Sequence, residues 1–228
     1  MARCLFYVGW NSSKEAVEDS FIMATMYLRK YTLAILSICF VAGVASNSAN
    51  GQDGEIPLGT VMPASDQPLV ATDGSTATLS DMSGARSTVV VFWSNTCPWT
   101  DKLSARLFDI AENAADGVAF VLINSNDPDA FPKESLAANA AADYPLPYLS
   151  DATSAVAHAF GATRNPHFFV FDRERTLVYV GGFDDSPGDA GRASKRYVPD
   201  ALRSVGAGQT PDVTRTKAFG CLIKPARR

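Results

Sequence analysis

Cysteine and histidine are scarce in this chain: 228 residues carry four cysteines and two histidines. The cysteines stand at positions 4, 39, 97 and 221 and the histidines at 158 and 167, and no group of them has metal-ligand spacing. That argues against a zinc site, and neither a metal nor a cofactor is expected. No C-x-x-C pair is present, which excludes a local dithiol. Charged side chains make up only 19% of the residues, and the net charge is −4. There is no electrostatic reason to expect a nucleic-acid partner. No internal repeat and no low-complexity tract interrupts the chain. At this length, with 46% hydrophobic residues, it is sized for one domain with a sizeable core plus appendages.

Long apolar runs are also missing. The longest, Tyr31–Val44, has about 14 residues, short of the roughly 20 that a membrane-spanning helix needs. Arg29 and Lys30 precede it and the small, polar stretch ASNSANGQ follows, the order of a secretory signal. Residues 1–49 are therefore expected to be a signal peptide, with cleavage between Ala45 and Gly51. The basic pair lies unusually far from residue 1, so translation is expected to begin at Met23 or Met26. Cys39 follows Ile38 inside the apolar run, a poor context for a lipid anchor. The mature protein is then exported to a periplasmic or extracellular space and free of the membrane. It keeps two cysteines, Cys97 and Cys221, which in an oxidising compartment are candidates for pairing.

The stretch that organises the rest is Thr88–Thr100, TVVVFWSNTCPWT. Val89–Trp93 is an uninterrupted β-branched and aromatic segment, which predicts a strand buried on both faces. Ser94, Asn95 and Thr96 are turn formers, and Pro98 suits the first turn of a helix. Cys97 is thus placed at a helix N-terminus, where unpaired N–H groups and the helix dipole favour the reactive thiolate. The helix is predicted to run to about Ala115, with Leu103, Leu107, Ile110 and Ala114 on one face. Asp116-Gly117 closes it, and Val118–Ile123 follows as a second apolar strand, parallel to the first. Further on, Lys133–Ala142 predicts a helix, and Ser150 or Asp151 is expected to cap another that ends at Gly161. His167–Phe171 and Leu177–Val180 form a hairpin, and Pro199–Val205 starts a closing helix. Thr76–Leu79 is expected as an edge strand, and residues 209–228 form an irregular tail. The order β-α-β-α-α-β-β-α predicts a single-domain α/β fold over residues 50–208, with a central mixed sheet flanked by helices. Cys97 lies at the carboxyl end of its strand, where open sheets place their chemistry.

These stretches resemble the thioredoxin-like redoxins, in particular the peroxiredoxin-like branch related to alkyl hydroperoxide reductases. The resemblance is carried by VFWSNTCP (91–98), FVLINSND (120–127), PYLSD (147–151), AFGATRNPHFFVFD (159–172), LVYVGGFDD (177–185) and GCLIK (220–224). It implies a thioredoxin-like fold and a thiol-dependent oxidoreductase with Cys97 as nucleophile. It also implies a cis-proline at Pro166 facing Cys97. Thr100 stands where dithiol members carry their second cysteine, and Ser94 where close relatives carry another. Peroxiredoxins place a Ser or Thr at the position of Ser94 to bind peroxide, and Arg164 is the matching candidate to polarise it. The proline that usually lies four residues before that Ser is replaced by Val90.

Three functions follow. In the first, peroxide oxidises Cys97 to a sulfenic acid, Cys221 condenses with it, and an external thiol reductant resets the pair. In the second, the substrate is a disulfide of another protein, with Pro166, Thr100 and Trp99 contacting it. In the third, a permanent Cys97–Cys221 bridge makes the domain a non-enzymatic binding module. His158 and His167 are expected to be structural, and the acidic loop with Asp184, Asp185 and Asp189 to be solvated rather than a calcium site.

Overall fold

Val89, Val90, Val91 and Phe92 have no surface exposure at all, as the unbroken apolar run predicts. In the computed structural model, which describes residues 54–226, they belong to strand β3 (Ser87–Phe92) at the heart of a seven-stranded sheet. The strands before it are β1 (Leu69–Ala71) and β2 (Thr76–Ala77). After it come helix α1 (Pro98–Glu112), β4 (Val118–Asn124), helix α2 (Leu136–Ala141) and β5 (Tyr148–Ser150). Helix α3 (Ala155–Phe160), β6 (Arg164–Asn165), β7 (His167–Asp172) and β8 (Leu177–Gly181) follow. Helix α4 (Tyr197–Gly206) and β9 (Cys221–Leu222) complete the order. The main sheet runs β2-β1-β5-β4-β3-β7-β8. β3, β4 and β5 are parallel, whereas β7 joins β3 and β8 joins β7 antiparallel. This is the mixed sheet with parallel strands first and a hairpin last that the sequence predicts, in a thioredoxin-like arrangement.

Strand alternation sends side chains into two cores. Val90, Phe92, Val121, Ile123, Phe169 and Phe171 face one side, where α3 adds Val156, Ala157 and Phe160. Val89, Val91, Phe120, Leu122, Phe168 and Val170 face the other, under α1 and α4. Leu103 and Leu107 of α1 are buried there, with Ile110 and Ala114 partly buried beside them. Leu107→Ala is expected to cost about 2–5 kcal/mol by urea denaturation, since it deletes core volume without an obvious collapse route.

Several boundaries shift from expectation: the helix predicted from Lys133 begins at Leu136, after a 3₁₀ turn over Pro132–Glu134, and the closing helix begins at Tyr197. α1 ends at Glu112 rather than near Ala115. α3 begins only at Ala155, because the chain first turns through Ser154 at φ 57°. Asp151 still serves this helix from outside it: its carboxylate accepts the Ala157 N–H at 3.0 Å and the Ser125 hydroxyl at 2.7 Å. Gly161 closes α3 at φ 65°, where a Cβ would meet the Gly54 carbonyl oxygen at 1.9 Å. The signal-peptide and cleavage expectations fall on residues 1–53, outside the described residues. No described helix is long and apolar enough to cross a membrane.

Candidate active site

Cys97 ends the turn that leaves β3 and stands directly before Pro98, the first residue of α1. No side chain caps the helix there; the Thr100 and Asp101 N–H groups donate to the Cys97 carbonyl at 3.1 and 3.3 Å, and the positive end of the helix dipole lies at Cys97. Cys97 is 2% exposed. Its thiol donates to the backbone carbonyl of Asn165 at 3.1 Å, and the Asn165–Pro166 peptide bond is cis.

The other cysteine arrives from the far end of the chain. The tail, irregular by sequence, packs into the same compact unit as the body. β9 pairs antiparallel with β6, Cys221 opposite Asn165 and Leu222 opposite Arg164. Cys221 therefore lies across from the residue whose carbonyl receives the Cys97 thiol. Both are free thiols. Burial, then a hydrogen-bonding contact with Cys97 and the charge of Cys97, push the Cys221 thiol up to about 11. Lys224 works in the opposite sense, and Glu134 adds to the rise. Cys221 is thus built to hold its proton beside Cys97. Alkylation of Cys221 is expected to follow a titration centred near pH 11, well above a free cysteine's about 8.5. Rate–pH profiles with iodoacetamide and mass spectrometry check this.

Further backbone and side-chain contacts fix the tail. Ile223 N–H donates to Thr163 O at 2.9 Å, and Asp127 N–H donates to Lys224 O at 2.8 Å. Lys224 N–H donates to the Asn126 side chain at 2.9 Å, and Ala226 N–H to Ser154 Oγ at 3.1 Å. The Phe219 ring meets the Trp99 ring edge-on, centroids 4.6 Å apart. Trp99, read from sequence as a contact for a substrate, is thereby engaged by this chain's own tail.

Beneath the Cys97 turn lies a carboxylate that sequence reasoning missed. Glu134 is 2% exposed. It accepts the Ser94 hydroxyl at 2.6 Å, Asn95 N–H at 3.0 Å, Thr96 N–H at 3.2 Å, the Thr96 hydroxyl, and Asn124 Nδ2 at 2.8 Å. Burial opposes its charge, but the bonds from Ser94, Thr96, Asn124 and Asn95 prevail and hold the carboxyl below its ordinary value. The network continues through Asn124 Nδ2 to Asn139 and Tyr148, and through Tyr148 Oη to Asn95.

These contacts revise several expected roles. The Ser94 hydroxyl, proposed to bind peroxide, spends its proton on Glu134 and is buried. Thr100, proposed as a substrate contact, is 1% exposed; its hydroxyl faces the carbonyls of Ser94 at 2.7 Å and Cys97 at 2.6 Å. The Arg164 guanidinium, proposed to polarise peroxide, donates to Gly220 O at 3.0 Å and so tethers the residue before Cys221. His167 is buried opposite Phe92 of β3, its Nε2 3.1 Å from Glu55, which also pairs with Arg215. His158 lies on the exposed face of α3. The acidic loop is not merely solvated: Asp184 is buried and paired with Arg106, and Asp185 and Asp189 accept N–H groups of their own loop.

The model of the Redoxin family matches residues 57–194, a span that holds Cys97, Glu134 and Pro166 and stops before Cys221. Among solved structures, a hypothetical protein from Sinorhizobium meliloti 1021 is 38% identical, with a TM-score of 0.69 over 76% of this chain and 97% of that one. An uncharacterized conserved protein from Geobacillus kaustophilus is 32% identical, with a TM-score of 0.69 over 75% of this chain and 94% of that one. The solution structure of a thioredoxin-like protein in the oxidized form, 19% identical with a TM-score of 0.50 over 68% of this chain and 99% of that one, shares the fold. No curated protein matches the chain.

Proposed function

The chain belongs to the redoxin family and is a thiol-dependent oxidoreductase, and from that premise we propose that Cys97 and Cys221 form its redox couple, acting by thiol–disulfide exchange. The observation that carries this is the pairing of Cys221 opposite Asn165, whose carbonyl receives the Cys97 thiol. It replaces the missing C-x-x-C with two thiols brought from opposite ends of the domain. Cys97, at the helix N-terminus, is the attacking thiolate; once ionised it accepts the Cys221 proton as a hydrogen bond. It attacks one sulfur of a partner disulfide, that S–S bond breaks, and the leaving thiolate takes a proton from water. Cys221 then loses its proton and attacks the Cys97 sulfur of the mixed disulfide, releasing the second partner thiol. The partner disulfide gains two electrons, and the couple ends as a Cys97–Cys221 disulfide. An external thiol reductant restores it by the same exchange run backwards.

A second reading is favoured by the 2% exposure of Cys97, which suits a small oxidant. A peroxide would transfer one oxygen to the Cys97 thiolate, leaving an alcohol or water. The sulfenic acid would then condense with Cys221, releasing water and forming the same disulfide. With Ser94 and Arg164 engaged elsewhere, this route lacks two of the groups that the sequence offered it. Reduction of a model protein disulfide and consumption of hydrogen peroxide, each with dithiothreitol as reductant and Cys97→Ser as blank, separate the two. Exchange well above the blank with peroxide consumption at the blank level is expected; the reverse pattern assigns the peroxidase role, and neither rate above the blank contradicts a redox role. Export after signal cleavage is part of the same proposal, supported by the basic pair and short apolar run before Ala45. An N-terminus between residues 46 and 51 on protein recovered from outside the cytoplasm is expected; cytoplasmic protein with an intact leader would contradict it.

A further inference from the structure

A buried carboxylate with no cation is costly unless donors replace its lost water. Among the described residues Glu134 has no ion-pair partner, yet five donors converge on it. Four of the five come from Ser94, Asn95 and Thr96, the three residues directly before Cys97. Those residues leave β3 and have no ladder of their own, so Glu134 accepts the N–H groups of Asn95 and Thr96. Glu134 is itself held firmly. It ends the short 3₁₀ turn Pro132–Glu134, its N–H donating to Phe131 O at 2.8 Å, and Ser135 then caps α2. The loop after β4 is thus clamped to the turn after β3.

We propose that Glu134 is a positioning residue for the couple, its carboxylate fixing residues 94–96 so that the Cys97 sulfur is presented to Cys221 at the Asn165 carbonyl. This rests on the reading that the two thiols cycle. A disulfide between them forms readily only while both sulfurs are held in reach, because the reaction depends on a high effective concentration. Glutamine keeps the shape of glutamate but turns one acceptor oxygen into an NH₂ group, which must then face a donor.

Glutathione equilibration of wild type, Glu134→Gln and Ser94→Ala, read by alkylation and mass spectrometry, tests the proposal alongside the Tm of each reduced protein. The effective concentration of the couple is expected to fall at least about tenfold in Glu134→Gln and by about threefold in Ser94→Ala, which removes one donor and keeps the carboxylate. The pH midpoint of Cys221 alkylation, set by burial and by Cys97, Glu134 and Lys224, moves down in Glu134→Gln. Because the Glu134 charge by itself raises the Cys221 midpoint, the effective concentration decides: a purely structural glutamate would lower the Tm and leave that concentration unmoved, which overturns the proposal. If Glu134→Gln does not fold, Ser94→Ala decides alone, and an unchanged equilibrium overturns the proposal. A wild type that forms no Cys97–Cys221 disulfide overturns the redox-couple reading and this proposal together; a normal wild type with unchanged variants overturns only this one.

Discussion

Protein carrying Cys221→Ser is expected to stop at Cys97 as a mixed disulfide with its oxidised partner, with steady-state turnover at least about a hundredfold below wild type. The attacking thiol is intact in this variant, but the second thiol, poised across from Asn165, is gone, and an external thiol must do its work from solution. Cys97→Ser removes the nucleophile and is expected to give neither turnover nor mixed disulfide. The asymmetry between the variants follows from their surroundings. Cys97 sits at the N-terminus of α1, whereas burial and the Cys97 contact keep the Cys221 thiol protonated. Non-reducing gels and mass spectrometry after exposure to a disulfide substrate check both outcomes. Trapping by Cys97→Ser and not by Cys221→Ser would reverse the roles assigned to the two sulfurs.

Gly220→Ala is expected to uncouple the two cysteines while leaving the core standing. A Cβ at this position would lie 2.0 Å from the Asn165 carbonyl oxygen and 2.6 Å from its carbon. Real Cβ atoms do not approach that closely, so one backbone must move. Asn165 adjoins β7, whose neighbours are fully buried on both faces. β9 is a two-residue strand with Leu222 61% exposed. The tail therefore gives way, carrying Cys221 from Cys97 and stretching the Arg164 bond to Gly220 O. The expected result is a fall of about tenfold or more in disulfide formation at equilibrium. The stability cost, about 1–3 kcal/mol, is typical of an overpacked position. Glutathione equilibration and urea denaturation measure the two effects separately.

The sequence revealed those parts of the fold in which side-chain pattern and burial carry the same information. Val89–Phe92 and Val118–Ile123 are unbroken apolar runs because both faces of their strands are covered. Leu103 and Leu107 mark the buried stripe of α1. Cys97 was legible for a related reason: a strand, turn formers and Pro98 leave one place for a helix to start. The position of Cys221 was not. It depends on a two-residue strand pairing with another two-residue strand, and segments that short have no periodicity to read. Glu134 was hidden because an acidic residue in the first turn of a predicted helix, Lys133–Ala142, reads as solvated; only the folded chain brings Ser94–Thr96 onto it. Ser94 and Arg164 were recognised by position and then found bonded to other partners. A hydroxyl three residues before a cysteine has the right spacing for peroxide, but spacing does not record which acceptor takes its proton.

The most direct test is the covalent state of the two cysteines after purified protein is oxidised with one equivalent of oxidised glutathione and digested without reduction. A peptide pair joined through Cys97 and Cys221, with the intact chain lighter by two hydrogens and both thiols shielded from alkylation, is the predicted result. Glutathione attached separately to either cysteine, with no linked pair formed over time, would contradict the account.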